Sequence, residues 1–149
     1  YYIPAGSAAE TVAGLDDIHW AAVLRSASAF EMYRKRHGRI RPDGIIEFLL
    51  LDPDFPRSVR HSMDGARSSL HHITGTPLGS FRNPSEKLLG QLCSDLAFTQ
   101  VDEIEDSGLH EYLDELQTKI NLVGSGIHDS FFAFRTPTVS RRSRYNEAH

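Results

Sequence analysis

Apolar residues recur along this chain at steps of three and four, the period of one face of an α-helix, and each run is bounded by capping residues, glycine or proline. The first run passes through Trp20, Val23, Leu24, Ala27 and Phe30. Asp16 and Asp17 offer N-caps ahead of it and His37-Gly38 a stop behind it, which predicts a helix over about residues 18–36. Pro42 then precedes a dense apolar stretch, Ile45, Ile46, Phe48, Leu49, Leu50 and Leu51. That stretch is readable as a buried strand, but Pro42 suits the first position of a helix and Asp52-Pro53 ends it, so a short helix is preferred. A third helix begins after Asp54-Phe55-Pro56, runs through Val59, Met63, Ala66, Leu70 and Ile73, and closes near Gly75. Asn83-Pro84-Ser85-Glu86 places a cap, a proline and an acidic third residue in order ahead of Leu88, Leu89, Leu92 and Leu96, the fourth helix. The fifth and longest follows one stripe from Val101 through Ile104, Gly108, Tyr112, Leu116, Ile120, Val123 and Ile127 to Phe131.

Between the helices the connections are short and polar, so the expected fold is all-α, a bundle of about five mostly antiparallel helices. Residues 1–14, with Pro4, Gly6 and Gly14 among small residues, read as linker or loop, and residues 76–82, with Pro77 and Gly79, as a turn segment. Residues 135–149 are polar, basic in their middle and without periodicity, and are expected to be disordered. No internal repeat of fixed period is visible.

At 149 residues, 40% hydrophobic and 24% charged, the chain has the size and composition of one globular domain. A formal net charge of −4 gives no global attraction to phosphate backbones or anionic lipid. The longest core-like run, residues 45–51, falls far short of the roughly 20 residues that span a bilayer. Cys93 is the single cysteine, so no intrachain disulfide forms and no cysteine pair is left for zinc, which favours a reducing compartment, and the cytoplasm is the expected location. The chain opens on Tyr1 and shows no charged n-region before an apolar stretch, which reads as a fragment without a secretory signal.

Several polar groupings invite a chemical reading. Asp102, Asp106, His110 and Asp114 stand at intervals of four, a possible metal-ligand ladder. At about 100° per residue they lie opposite the apolar stripe, which favours a solvated acidic face near a helix N-terminus, and no metal is expected. Arg25, Ser26 and Ser28 fall among residues expected to be buried, and Glu31 and Lys35 are placed to pair across one turn. For Arg25 the structural alternative is a buried ion pair, with Glu47 or an acid of the fifth helix, and the functional one is an anion site between helices. Arg34, Lys35, Arg36, Arg39 and Arg41 complement a helix C-terminus, and with Arg141, Arg142 and Arg144 they are the only support for nucleic acid binding. No aromatic residues are interleaved for base stacking, so nucleic acid is not an expected partner. There is no Gly-x-Ser-x-Gly elbow, GTPLGS lacks the Lys-Ser/Thr of a phosphate loop, His71-His72 has no adjacent nucleophile, and Cys93 sits in a leucine-rich helix as core cysteines do.

Three long segments, LDDIHWAAVLRSASAFEMYR, EFLLLDPDFPRSVR and TQVDEIEDSGLHEYLDELQTKIN, resemble the bacterial alpha-E domain family, specifically its C-terminal half. The resemblance extends over residues 3–134, so residues 1–134 are taken as the domain fragment. It implies an α-helical domain named for a Glu-Arg motif and often found beside or fused to ATP-grasp ligases, transglutaminase-like peptidases and proteasome-like hydrolases. The naming motif would lie in the N-terminal half. No catalytic role comes with the family, no cofactor is implied, and no residue role is carried over. The candidate binding residues are therefore chosen on their own chemistry: Arg25 and Arg57 for anions, and Glu31, Asp102, Glu103 and His110 as polar residues in or near the resembling segments.

These readings imply a helical accessory or interaction domain serving an ATP-grasp peptide or amide ligase, with the peptidase and the hydrolase as further possible partners. The alternative is an enzyme in its own right, acting on peptides or amides through polar groups between helices, for which a buried Arg-Glu-His cluster would be the mark. Helices made to pack on a missing half would expose apolar stripes, so the fragment is expected to self-associate.

Overall fold

The computed structural model describes residues 6–77 and 79–131, with side chains from residue 14 onward. Among them every regular element is helical: α1 (Gly6–Ser26), α2 (Phe30–His37), α3 (Pro42–Ile46) running straight into a π-helical turn (Glu47–Leu51), α4 (Val59–Thr74), α5 (Pro84–Phe98), α6 (Val101–Ser107) and α7 (Leu109–Phe131). The all-α expectation holds. The count rises from five to seven because two of the expected helices are each broken once. The basic tail lies outside the described residues.

The first break separates α1 from α2. Ser28 takes a left-handed φ of 53°, and Ala29 reaches back to donate its N–H to the Leu24 carbonyl at 2.8 Å. A stripe counted through Ala27 is blind to this elbow, because alanine is a strong helix former and Ala27-Ser28-Ala29 carries no local stop signal. Ala29 ends fully buried and lets α2 fold close against α1. The second break is at Gly108, whose φ of 89° and ψ of 126° belong to a region that only glycine enters without strain. Gly108 therefore ends α6 and starts α7, although it lies on the apolar stripe. A third departure is at the other end: α1 already begins at Gly6, so residues 6–14 are helix rather than linker.

The caps at the start of α5 and after α2 and α4 behave as read, whereas Asp16 and Asp17, expected to cap the first helix, fall inside α1 because it already begins at Gly6. Asn83 accepts the Glu86 N–H at 2.9 Å, Pro84 occupies the first turn, and the Glu86 carboxylate reaches back to the Arg82 N–H at 2.7 Å. Gly38 and Gly75 close α2 and α4 with positive φ. Between the π-helical turn and α4, Asp52 accepts from the N–H groups of Asp54 and Phe55, both at 2.8 Å, and pairs with Arg36 at 3.0 Å. Ser58, fully buried, accepts the His61 N–H at 3.0 Å as the N-cap of α4 and donates to the Asp52 carbonyl.

Burial alone would raise the Asp52 carboxyl, but the two N–H groups and the Arg36 guanidinium outweigh it and hold the group below the ordinary aspartate value. A depressed folded value means that this stabilisation is present above the unfolded aspartate pKa and is lost as the pH falls through the folded one. Asp52→Ala is therefore expected to lower stability at pH 7 by about 1–2 kcal/mol, with the difference from the parent shrinking below about pH 4. Urea titrations of the two proteins at pH 7 and pH 3 would show it; an equal difference at both pH values would contradict the assignment.

Two apolar clusters form the core. One packs Leu70 of α4, Leu89, Leu92, Cys93 and Leu96 of α5, Ile104 of α6 and Leu116 and Val123 of α7. The other joins Leu24, Tyr33, Ile45, Phe48 and Phe55 around the α1–α2–α3 corner, and Trp20 touches both. The stripes are less completely covered than their spacing implies: Val23, Ala66, Ile73, Leu88 and Phe131 are all exposed. Ser85 of α5 lies against the bare backbone of Gly126 of α7, with no room for a side chain there.

Candidate functional site

The six candidate residues do not converge. Arg25 is exposed, not buried among helices, and its guanidinium lies 4.3 Å over the Phe30 ring instead of in an ion pair. Glu31 is exposed beside it, and the two line a shallow surface dip of about 250 Å³ with Ser28 and Phe30. Among the described residues Glu31 makes no ion pair with Lys35. Arg57 donates to the Ser28 carbonyl at 2.8 Å, so it ties the start of α4 to the α1–α2 elbow. His110 and Asp114 pair at 3.4 Å in open solvent, with side chains 85% and 68% exposed. Asp102 and Asp106 are exposed as well, so the acidic face is a solvated one, and the Gly108 break interrupts its register. No group of three or more metal-capable side chains gathers among the described residues.

Asp102 and Glu103 lead further, because neighbouring positions at the start of α6 face two different clefts. Asp102 lines the first, of about 420 Å³, at the seam where the end of α2, the π-helical turn, α4 and α6 meet. Phe48, Leu51 and Val101 give it apolar walls; His37, Glu47 and Arg60 add polar groups. The π-helical turn brings Glu47 and Phe48 to this seam, and such turns often accompany sites. Each polar group is otherwise engaged or apart, however. The His37 ring stacks on Tyr33 with centroids 4.8 Å apart, and Arg60 donates from Nη1 to the Leu51 carbonyl at 3.3 Å. Its Nε is buried without a hydrogen bond, since the nearest carboxylate, Asp64, stands 4.0 Å away. No hydrogen bond links His37 to Glu47 or Asp102, so no acid–base relay is assembled there.

Glu103 lines the second cleft, a groove between α5 and α7. It consists of two hollows of about 370 and 270 Å³ that share Leu92, Asp95 and Lys119. Lys119 spans the groove, 2.9 Å from Glu115 on its own helix and 3.5 Å from Asp95 on α5. The hydrogen bond to Glu115 and the two carboxylates keep its ammonium above the ordinary lysine value, so it is a fixed cation and not a base. Burial pushes the Tyr112 hydroxyl up, against the pull of the Thr99 hydroxyl, and the phenol stays protonated. Around these polar groups stand apolar side chains that water does not suit: Phe98 is 83% exposed and Leu122 55%.

Of these groove residues only Glu103 was a functional candidate on sequence, while Leu88, Leu92, Leu96, Tyr112, Leu116 and Val123 were counted as core-stripe positions. The other nucleophile of interest is inert. Burial pushes the Cys93 thiol up to about 11, with Asp64 adding to the effect and Arg67 opposing it, so the sulfur stays a thiol inside the core. His71, also buried, uses Nδ1 on the Thr76 carbonyl at 3.0 Å and so fastens the turn after α4.

A family model described as a predicted alpha-helical domain with a conserved ER motif matches residues 2–132. No glutamate in this chain is followed directly by arginine. No curated protein and no solved structure matches the chain.

Proposed function

The chain belongs to the Alpha-E family, and on that premise we propose that it is a helical interaction domain that serves an ATP-grasp peptide or amide ligase by docking it. One observation carries the interaction reading: large apolar side chains stand exposed on helices beside carboxylates, while no nucleophile, base and orienting group meet in the seam cleft or the α5–α7 groove among the described residues. Exposed apolar surface of this kind, rimmed by polar groups, is the property of a binding face. The ligase as partner follows from the company the family keeps, and the C-terminal-half reading would place the remaining docking residues on the other half. Peptidases and proteasome-like hydrolases are the further partners of the same kind.

The test is co-purification of the complete protein with an ATP-grasp peptide ligase of the same organism, together with ligase turnover at increasing concentrations of the protein. The expected result is a complex that survives gel filtration and a saturable change in turnover. Separate elution and unchanged turnover would reject the reading. A second reading, an enzyme acting on amides, is favoured by one fact, the presence of His37, Glu47 and Arg60 on the seam cleft. It requires turnover by the protein alone that Glu47→Gln removes. Turnover untouched by that change would discard it.

A further inference from the structure

The groove between α5 and α7 combines three features that a merely solvated surface has no use for. Its rims carry exposed apolar side chains at both ends, Leu88 and Leu122 at one and Phe98 at the other. Its polar lining is dominated by the carboxylates Asp95, Glu103 and Glu115, and its one cation, Lys119, is already held between two of them. Glu103 makes no ion pair among the described residues. The surrounding field has the same sign, since residues 95–115 hold eight carboxylates and no lysine or arginine.

From Leu88 to Phe98 the groove follows ten residues of α5, about 15 Å at the rise of an α-helix, which is roughly three helical turns. An occupant must supply apolar side chains along one stripe and positive charge beside it. A flat sheet edge does not fit between two helices, whereas a third helix laid along them packs its ridges into the groove they form. We infer that the α5–α7 groove docks a basic amphipathic helix of a partner protein, about three turns long. The docked helix buries Phe98 and Leu122 under its leucine-like stripe and sets lysines or arginines against Glu103 and Asp95. Charge complementarity of this kind speeds encounter and sets the partner's sign, and the apolar contacts hold it. This rests on the reading of the chain as an interaction domain and adds to it the surface and the chemistry of what binds.

The experiment uses the full chain and a fluorescein-labelled synthetic helix of about 18 residues with leucines at steps of three and four and lysines flanking them. Two controls share its length: one with glutamates replacing the lysines, the other with the same composition in scrambled order. Anisotropy titrations are expected to show saturable binding of the lysine helix, and roughly tenfold or weaker binding of both controls. Phe98→Ala, Leu122→Ala and Glu103→Lys change exposed side chains, so circular dichroism should find them folded, and each is expected to weaken the lysine helix several-fold or more. The inference is overturned if no peptide binds, if the glutamate helix or the scrambled peptide binds equally, or if the three variants bind as the parent does. It is also overturned if light scattering shows a dimer that Phe98→Ala and Leu122→Ala dissolve, since the occupant is then a second copy. Co-purification with the ligase that survives all three variants would leave the interaction reading standing while removing this groove from it.

Discussion

Replacing Phe48 with alanine is expected to cost about 3–5 kcal/mol of stability, the loss that follows when a large aromatic side chain is deleted from a closed core. Phe48 is fully buried in the π-helical turn. Its ring stacks on Phe55 with centroids 4.2 Å apart and takes Tyr33 and His37 on its edges at 5.5 and 5.6 Å. It therefore holds together the α2 helix, the α3 segment and the turn into α4. The Tyr33 hydroxyl would keep its bond to the Arg39 carbonyl at 3.0 Å, so the corner should loosen without the bundle of α4, α5 and α7 coming apart. Chemical denaturation followed by Trp20 fluorescence is the appropriate readout, because Trp20 packs against both clusters. A loss under about 1 kcal/mol would mean that Phe48 is not the keystone of the corner.

Ile104→Ala is the second large change, with an expected loss of about 2–5 kcal/mol. Ile104 is completely buried and is the buried residue by which the seven-residue helix α6 inserts into the main core, with Val101 packed half-buried against the same cluster. A helix that short has almost no stability of its own, so its position depends on this side chain. Asp102 and Glu103, on adjacent positions of the same turn, face the seam cleft and the α5–α7 groove. Loss of the anchor should therefore weaken helix-peptide binding in the groove as well as stability, whereas Phe48→Ala should spare that binding in the protein that remains folded. Stability measured by urea and binding measured by anisotropy separate the two substitutions; binding unaffected by Ile104→Ala would show that α6 is not part of the groove wall.

How much of this was legible in the residues differs by level. The Ser58 cap of α4 was passed over in favour of Asp54-Phe55-Pro56, but two helix starts were written plainly, at Pro42, whose fixed φ suits a first helical position, and at Asn83-Pro84, where a local hydrogen bond caps α5. The two breaks were not. Ser28 turns left-handed because tertiary packing of Ala29 and the Arg57 bond to its carbonyl repay the strain, and both lie outside the local sequence. Gly108 was counted as an apolar stripe position, although its missing side chain was a sign of a possible stop. The π-helical turn left no local mark either, since an extra residue within a turn depends on what Phe48 and Leu51 find to pack against.

For the site, residue type was a poor guide and surroundings a better one. Arg25 was expected inside because it sits among apolar letters, but it lies on an exposed face of α1 with its guanidinium over Phe30. Asp102 and Glu103 were picked as polar residues in a resembling segment, and their division between two clefts is a property of the α5–α6 connection that no spacing reveals. Leu88 was counted as a core position, and Phe98 and Leu122 were not read at all. Their exposure beside the α5–α7 groove among the described residues makes them a candidate binding face.

The central claim, that this chain acts by docking a ligase through its helical surface, is tested most directly by hydrogen exchange with and without a saturating amount of the ATP-grasp ligase. The expected result is added protection confined to the exposed face of α5, the start of α6 and the facing turns of α7, with α4 unchanged. Identical exchange throughout the chain in the presence and absence of the ligase would contradict the account.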